Sequence, residues 1–229
     1  MIVAIHQPNY APWLGYFHKI AQSDVFIFLD DVQYPKNGYT NRVQILHDGA
    51  AKWLTQPVSA RLGMPINEVT PAKPTWRRAH LDTLRTAYHD ATHFKDIWPV
   101  LNDIYDDLPE ADIAAINRRL IEELASRVGL TCRFEASSDF ALNALKGTDR
   151  LVALIEAITP GATYLSGKGG ANYQDAEVFE TGGISLRYSD YKHPQYAQNG
   201  DEFVPGLSIL DAVFHLGWRQ AGDLAASQN

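Results

Sequence analysis

The chain has 229 residues, 45% of them hydrophobic and 21% charged, with a formal net charge of −7. That length and composition supply a sizeable core, and the acidic balance argues against a protein held mainly to nucleic acid. A lone cysteine, Cys132, excludes a disulfide framework and a cysteine zinc site within the chain and fits a reducing cytoplasm.

Ile2 to Ile5 reads as a short buried strand. The N-terminus has no basic region followed by a long apolar one, so no signal peptide is expected. No run approaches the ~20 apolar residues needed to span a bilayer. HQPNYAPWLGYFHKI, residues 6 to 20, then carries the chain toward a helix over Leu14 to Gln22, whose apolar positions 14, 17, 20 and 21 have helical spacing. The junction is stiffened by Pro8 and Pro12 and carries hydrogen-bonding groups on His6, Gln7 and Asn9. Val25 to Leu29 is an unbroken apolar run ending in Asp30-Asp31, as expected of a strand covered on both faces. Strand, short helix and strand make a βαβ unit with a parallel pairing.

Two β-rich runs flank Asp48-Gly49 and predict a hairpin. From Trp76 to Arg127 the spacing is helical, with Pro99 and Pro109 expected to divide it and Gly129 to stop it. Thr131 to Ala136 is a further strand. Gly147 to Ile158 is an amphipathic helix with Thr148 as its expected cap. Strands follow at Ala162 to Leu165 and Ile184 to Tyr188, and a last helix at Leu207 to Leu216, with the tail expected to fray. The expected plan is α/β over residues 1–229 as one domain. A small Rossmann-like, mostly parallel sheet has flanking helices, a β-hairpin and a helical insertion over 76–128.

In open α/β sheets, ligands bind beyond the carboxyl ends of the strands. His6, Gln7 and Asn9 end the first strand, and Asp30, Asp31 and Gln33 end the next. His6 and Asp30 are the expected catalytic pair, because an imidazole beside a carboxylate can move a proton or orient an amine. Lys36, Asn41 and Arg42 would suit a phosphate or carboxylate on a substrate. SGKGGANY, residues 166 to 173, is a glycine-rich turn after a strand; Ser166, Gly167, Gly169 and Tyr173 are expected at the ligand, with backbone N–H groups facing an anion. Its glycine spacing matches neither a Walker A loop nor GxGxxG. Trp76 and His80 are four apart and share a helix face. Each of these also has a purely structural explanation, as a capped turn, a solvated hairpin or a packed helix. The histidines show no HExxH spacing, so no metal site is expected. No GxSxG is present, and Cys132 sits in an apolar strand as inert core.

The opening HQPNYAPWLGYFHKIAQSDVFIFLDDVQYPKNGYTNR resembles that of the WbqC-like family of bacterial proteins. WLTQPVS, the Trp76-to-His80 helix start, YLSGKGGANYQD and QYAQNGDEFVPGLSILDAVFHLG are also similar to its motifs, so the resemblance covers nearly the whole chain. Gln174 stands where that family tends to have Leu, and His215 where it tends to have Asn. The resemblance implies a role in O-antigen and other surface-polysaccharide biosynthesis, as a transferase attaching a glycyl-type unit to an amino sugar, free or nucleotide-linked. The strand–loop–helix–strand opening also resembles the layout of HIGH-type nucleotidyltransferases, although HxGH itself is absent. Three readings follow: an amide-forming transferase on a small, phosphorylated or nucleotide-linked substrate; a nucleotidyl- or adenylyl-transferring enzyme; and a non-catalytic binding protein of a polysaccharide assembly system. The residues name no cofactor, donor, acceptor or oligomeric state.

Overall fold

A computed structural model describes residues 1–172, 174–200 and 202–227. In chain order its elements are β1 (Ile2–His6), α1 (Leu14–Ala21), β2 (Val25–Phe28), β3 (Arg42–His47), β4 (Ala50–Thr55), β5 (Val58–Ser59), β6 (Thr70–Pro71), α2 (Trp76–Tyr88), α3 (Phe94–Asp106) and α4 (Ile113–Arg127). They continue with β7 (Arg133–Ala136), α5 (Gly147–Ile158), β8 (Thr163–Ser166), α6 (Ala176–Thr181), β9 (Ser185–Tyr188) and α7 (Ile209–Ala226).

The centre is a five-stranded sheet in the order β7-β2-β1-β8-β9, with every pairing parallel. β1 and β2 lie side by side, Val3 opposite Val25 and His6 opposite Phe28. Alternation along these strands splits the core in two. Ala4, Phe26 and Phe28 pack on α1, α2, α3, α4 and α7, whereas Val3, Ile5, Val25 and Ile27 pack on Leu151, Leu154, Ile155 and Phe179 of α5 and α6. Both faces are covered, which is why the strands read as unbroken apolar runs. The hairpin β3–β4 and the helices α2 to α4 lie in the crossover between β2 and β7.

Three local expectations differ from the structure: the last helix continues past Leu216 to Ala226, with Ala221 and Ala225 buried where a frayed tail was expected, and Pro99 and Thr148 play other parts. Pro99 does not divide the helices: it lies inside α3, and the break falls between Tyr88 and Phe94. The lost backbone bond is tolerated because Ile97, Leu101, Ile104 and Tyr105 bury the same helix face on both sides of it. Thr148 does not cap α5; it lies in the first turn, and its hydroxyl accepts from the Asp175 backbone N–H at 3.1 Å.

The opening loop is pinned from distant parts of the chain. Asn117 donates to the Pro8 carbonyl at 2.9 Å, Ser208 donates to Ala11 at 2.7 Å, and the Ile209 N–H donates to Pro12 at 2.9 Å. Ala11 has a φ of +39°, a conformation a non-glycine residue holds only when its surroundings enforce it. The LSILD segment therefore begins α7 and locks the loop at once, with Ser208 also capping Leu210. Behind it, Asp211 is fully buried and accepts from Tyr88, Tyr196 and Gln198.

Candidate active site at the carboxyl edge of the sheet

The chain runs from β1 outward to β2 and β7, then returns to the other side of β1 with β8 and β9. The direction of winding reverses between β1 and β8, and a crevice opens at such a point beyond the strand ends. A hollow of ≈ 430 Å³ lies there, walled by His6 and Gln7 from the end of β1, Tyr164 and Ser166 from β8, Arg150 from α5 and the 167–170 loop. A second hollow of ≈ 280 Å³ is walled by Trp13, Tyr16, Ser189 and Tyr191. His6, Lys19, Gly167 and Gly169 line both.

His6 is half-buried on this wall. Its Nδ1–H donates to the Gln7 carbonyl at 3.1 Å, which leaves Nε2 as the unprotonated nitrogen. Tyr16 donates to the same carbonyl at 2.9 Å, and its ring stands edge-on to the imidazole. Burial, reinforced by the nearby Lys19 charge and opposed by the Gln7 bond, lowers the His6 pKa to about 4, so the ring is neutral at pH 7.

Lys19 is the residue that sequence reasoning missed. α1 is covered on nearly all sides, by the sheet and by α7, and Lys19 is only 4% exposed. Its Nζ reaches the end of β1 and donates to the Ile5 carbonyl at 2.8 Å. Desolvation lowers its pKa to about 7. Arg150, also missed, is buried in the first turns of α5 and pairs with Asp31 at 2.5 Å. Its Nε has no hydrogen-bond partner among the described residues. A buried lysine and a buried arginine on one wall favour an anionic ligand.

The glycine-rich turn supplies the opposite wall. A Cβ at Gly167 or Gly169 would meet open space, so backbone alone faces the hollow at these positions. Gly170 is different: a Cβ there would fall 2.2 Å from Ser166 Oγ and 2.6 Å from Gln174 Oε1. Ser166 donates to Gln174, which in turn donates to the Tyr164 hydroxyl at 3.3 Å. Gln174 thus braces two residues of the wall.

The expected site residues divide into two groups. His6, Gln7, Ser166, Gly167 and Gly169 come together at the crevice, and Asp31 reaches it through Arg150. Asp30 lies elsewhere. It accepts from Ser137 and Ser138, and it lines a separate hollow with Asn67, Asp112 and Arg118. The expected His6–Asp30 pair is therefore not assembled, because the two hydroxyl groups before α5 occupy the carboxylate. Asn9 is buried in the loop. Asn41 ties the hairpin by donating to Gln56, and Arg42 lies over the Trp53 ring at 4.2 Å while donating to the Asn37 carbonyl. Gln33 and Lys36 line a surface groove with Arg61 and Leu62. Trp76 packs beside His80, whose Nε2–H donates to Thr55 and whose Nδ1 accepts from Tyr10 at 2.6 Å. Tyr173 lies outside the described residues.

Among the described residues no group of three or more His, Cys, Asp or Glu side chains is arranged to hold a metal ion. Burial holds the Cys132 thiol at about 12, the protonated form at neutral pH. No helix of the described residues is long and apolar enough to cross a membrane.

The WbqC-like protein family model matches residues 7–222. The chain belongs to the WbqC-like family. It is 36% identical over 218 residues to the Mycobacterium tuberculosis protein named "Uncharacterized protein Rv1507c", an alignment covering 94% of each chain. No solved structure matches. The family match starts at Gln7, directly after β1, and ends at Gly222, so it covers β2, β7, β8 and β9 and the crevice lining other than Ile5 and His6.

Proposed function

We propose that this WbqC-like chain is a cytoplasmic transferase that attaches a glycyl-type unit to the amine of an amino sugar bearing a phosphate or nucleotide, a step of surface-polysaccharide biosynthesis. The observation that carries the reading is the crevice between β1 and β8, where a neutral His6, Gln7, the buried Lys19 and Arg150 side chains and a glycine-rich turn share one wall system. In this reading the backbone of Gly167 and Gly169, which lines both hollows, and Arg150 hold the anionic groups of donor and acceptor, and His6 Nε2 accepts a hydrogen bond from the reacting amine. The family resemblance supplies the substrate class.

Incubating the pure protein with activated glycine donors and amino-sugar nucleotides tests this. The expected result is a product heavier than the acceptor by one glycyl unit. A folded His6→Ala variant with full turnover removes His6 from the reaction.

A second reading, nucleotidyl or adenylyl transfer, is favoured by one observation. The strand order is the 3-2-1-4-5 arrangement of nucleotide-binding sheets, with a glycine-rich turn at the reversal point. It requires pyrophosphate release from a nucleoside triphosphate in the presence of magnesium. Absence of nucleotide binding by calorimetry contradicts it.

A further inference from the structure

The two hollows meet at Lys19 and His6, and beyond that shared wall their chemistry diverges. The larger continues along Arg150, Gly147 and Gly170, a cation and bare backbone suited to phosphate or another anionic leaving group, beside an apolar stretch of Ile5, Leu29, Val32 and Leu151. The smaller continues along Trp13, Tyr16 and Tyr191, an aromatic lining with the Ser189 and Lys168 side chains as polar members, suited to a sugar ring. The Trp13 ring lies against Gly15, where a Cβ would fall 2.1 Å from it, and is braced by Tyr191 and His193. This wall is fixed by packing.

We propose that Lys19 is the catalytic base of the transfer, with an activated acyl donor in the larger hollow and the amino-sugar ring in the smaller. The assignment rests on the transferase reading above. Lys19 Nζ lies at the junction and is held by the Ile5 carbonyl, a bond that needs only one of its protons. It therefore keeps its position as the free amine. The amine of an amino sugar arrives as an ammonium group and must lose a proton before it can attack. That proton passes to Lys19. The amine nitrogen then forms the bond to the acyl carbon, the bond from that carbon to the donor's leaving oxygen or sulfur breaks, and the leaving group takes the electron pair and the second nitrogen proton. The depressed basicity of Lys19 matches operation near neutral pH, where His6 is too weak a base to compete. The titratable groups that line the hollows with Lys19 are His6, Tyr16, Tyr164, Arg150, Lys168 and Tyr191, and the carboxylate behind them, Asp31, is engaged by Arg150. Burial holds Lys19 below a surface lysine, and among the described lining residues no unengaged carboxylate counters it.

Competitive labelling of the full chain with acetic anhydride, read peptide by peptide across pH, tests the assignment on the wild-type protein. Lys19 is expected to reach half-maximal reactivity near neutral pH, several units below the other lysines, and to be protected by pyrophosphate or by glucosamine added alone. Lys19 unreactive up to pH 9, or protected by neither probe, overturns it. In the product assay, Lys19→Arg keeps the charge but cannot release its proton, so kcat falls with KM for the amino sugar nearly unchanged, while pyrophosphate binding by calorimetry persists. Full turnover by Lys19→Met overturns the base assignment alone. No amide product from the wild-type chain, despite neutral-pH labelling of Lys19, overturns the transferase reading and the assignment with it.

Discussion

Lys19 Nζ donates to the carbonyl oxygen of Ile5 over 2.8 Å, tying the buried face of α1 to the end of the central strand. This single bond joins the fold to the site, since its donor is the amine at the meeting of the two hollows and its acceptor lies one residue before His6. It also carries a stability cost that depends on pH.

The folded-state pKa of Lys19 is about 7 against an ordinary 10.5, so the unfolded chain takes up the proton first as pH falls. The stability held above the unfolded value is lost as pH drops from 10.5 toward 7, and no further change from this group follows below that. Tyr10, Tyr16 and Tyr88, raised well above 10.0 by burial, act in the opposite sense once pH climbs past 10. Urea midpoints are therefore expected to rise between pH 7 and 9.5 in the wild type. Lys19→Met should flatten that slope and be the more stable protein at pH 7, by an amount on the order of a few kcal/mol. An unchanged slope contradicts a buried amine.

Arg150 and Asp31 pair at 2.5 Å with side chains only 9% and 6% exposed. Removing either partner leaves a buried charge, so Asp31→Asn and Arg150→Met should each cost roughly 3–5 kcal/mol. The double variant should lose much less than the sum of the two. Additive losses in a denaturant double-mutant cycle would show the pair to be uncoupled.

Two neighbouring glycines should respond differently to alanine. At Gly170 the added carbon collides with Ser166 and Gln174, so Gly170→Ala should cost about 1–3 kcal/mol. At Gly169 it enters open space in the hollow, so Gly169→Ala should alter stability by no more than ~0.5 kcal/mol while weakening anion binding. Thermal melts and pyrophosphate calorimetry on both variants separate the two effects.

Tyr10 donates to His80 Nδ1 at 2.6 Å and accepts from Tyr105 at 2.5 Å, deep in the core. Tyr10→Phe leaves both partners unsatisfied and should cost about 1–3 kcal/mol. Burial lowers the His80 pKa from 6.5 to about 4, so its contribution is present above 6.5 and lost as pH falls through 4. A His80→Gln variant should show a shallower acid limb in a pH series of melts; an identical limb contradicts a neutral buried His80.

The parallel β1–β2 pair was legible from the sequence, because short apolar runs ending in polar groups have few other uses. The hollow was expected where those two strands end together, and it opens between β1 and β8 instead, with Asp30 in a separate one. Lys19 was not. Its helix has apolar residues at 14, 17, 20 and 21, which puts position 19 toward solvent in a helix with one covered face. The second cover is α7, nearly two hundred residues later, and no local pattern announces it. The opposite error has the same origin. Asp30, Asn41 and Arg42 look like ligand groups when read locally, yet Ser137, Gln56 and Trp53 occupy them through the tertiary fold. Pro99 teaches the same lesson in the backbone, where a buried helix face outweighs one missing bond.

The central claim is that substrate enters between β1 and β8, and a crystal structure of the protein with pyrophosphate bound tests it most directly. The account predicts the anion against the backbone of Gly167 to Gly170, within reach of Arg150 and Lys19. An anion bound instead at Arg42, or in the hollow around Asp30, would contradict it.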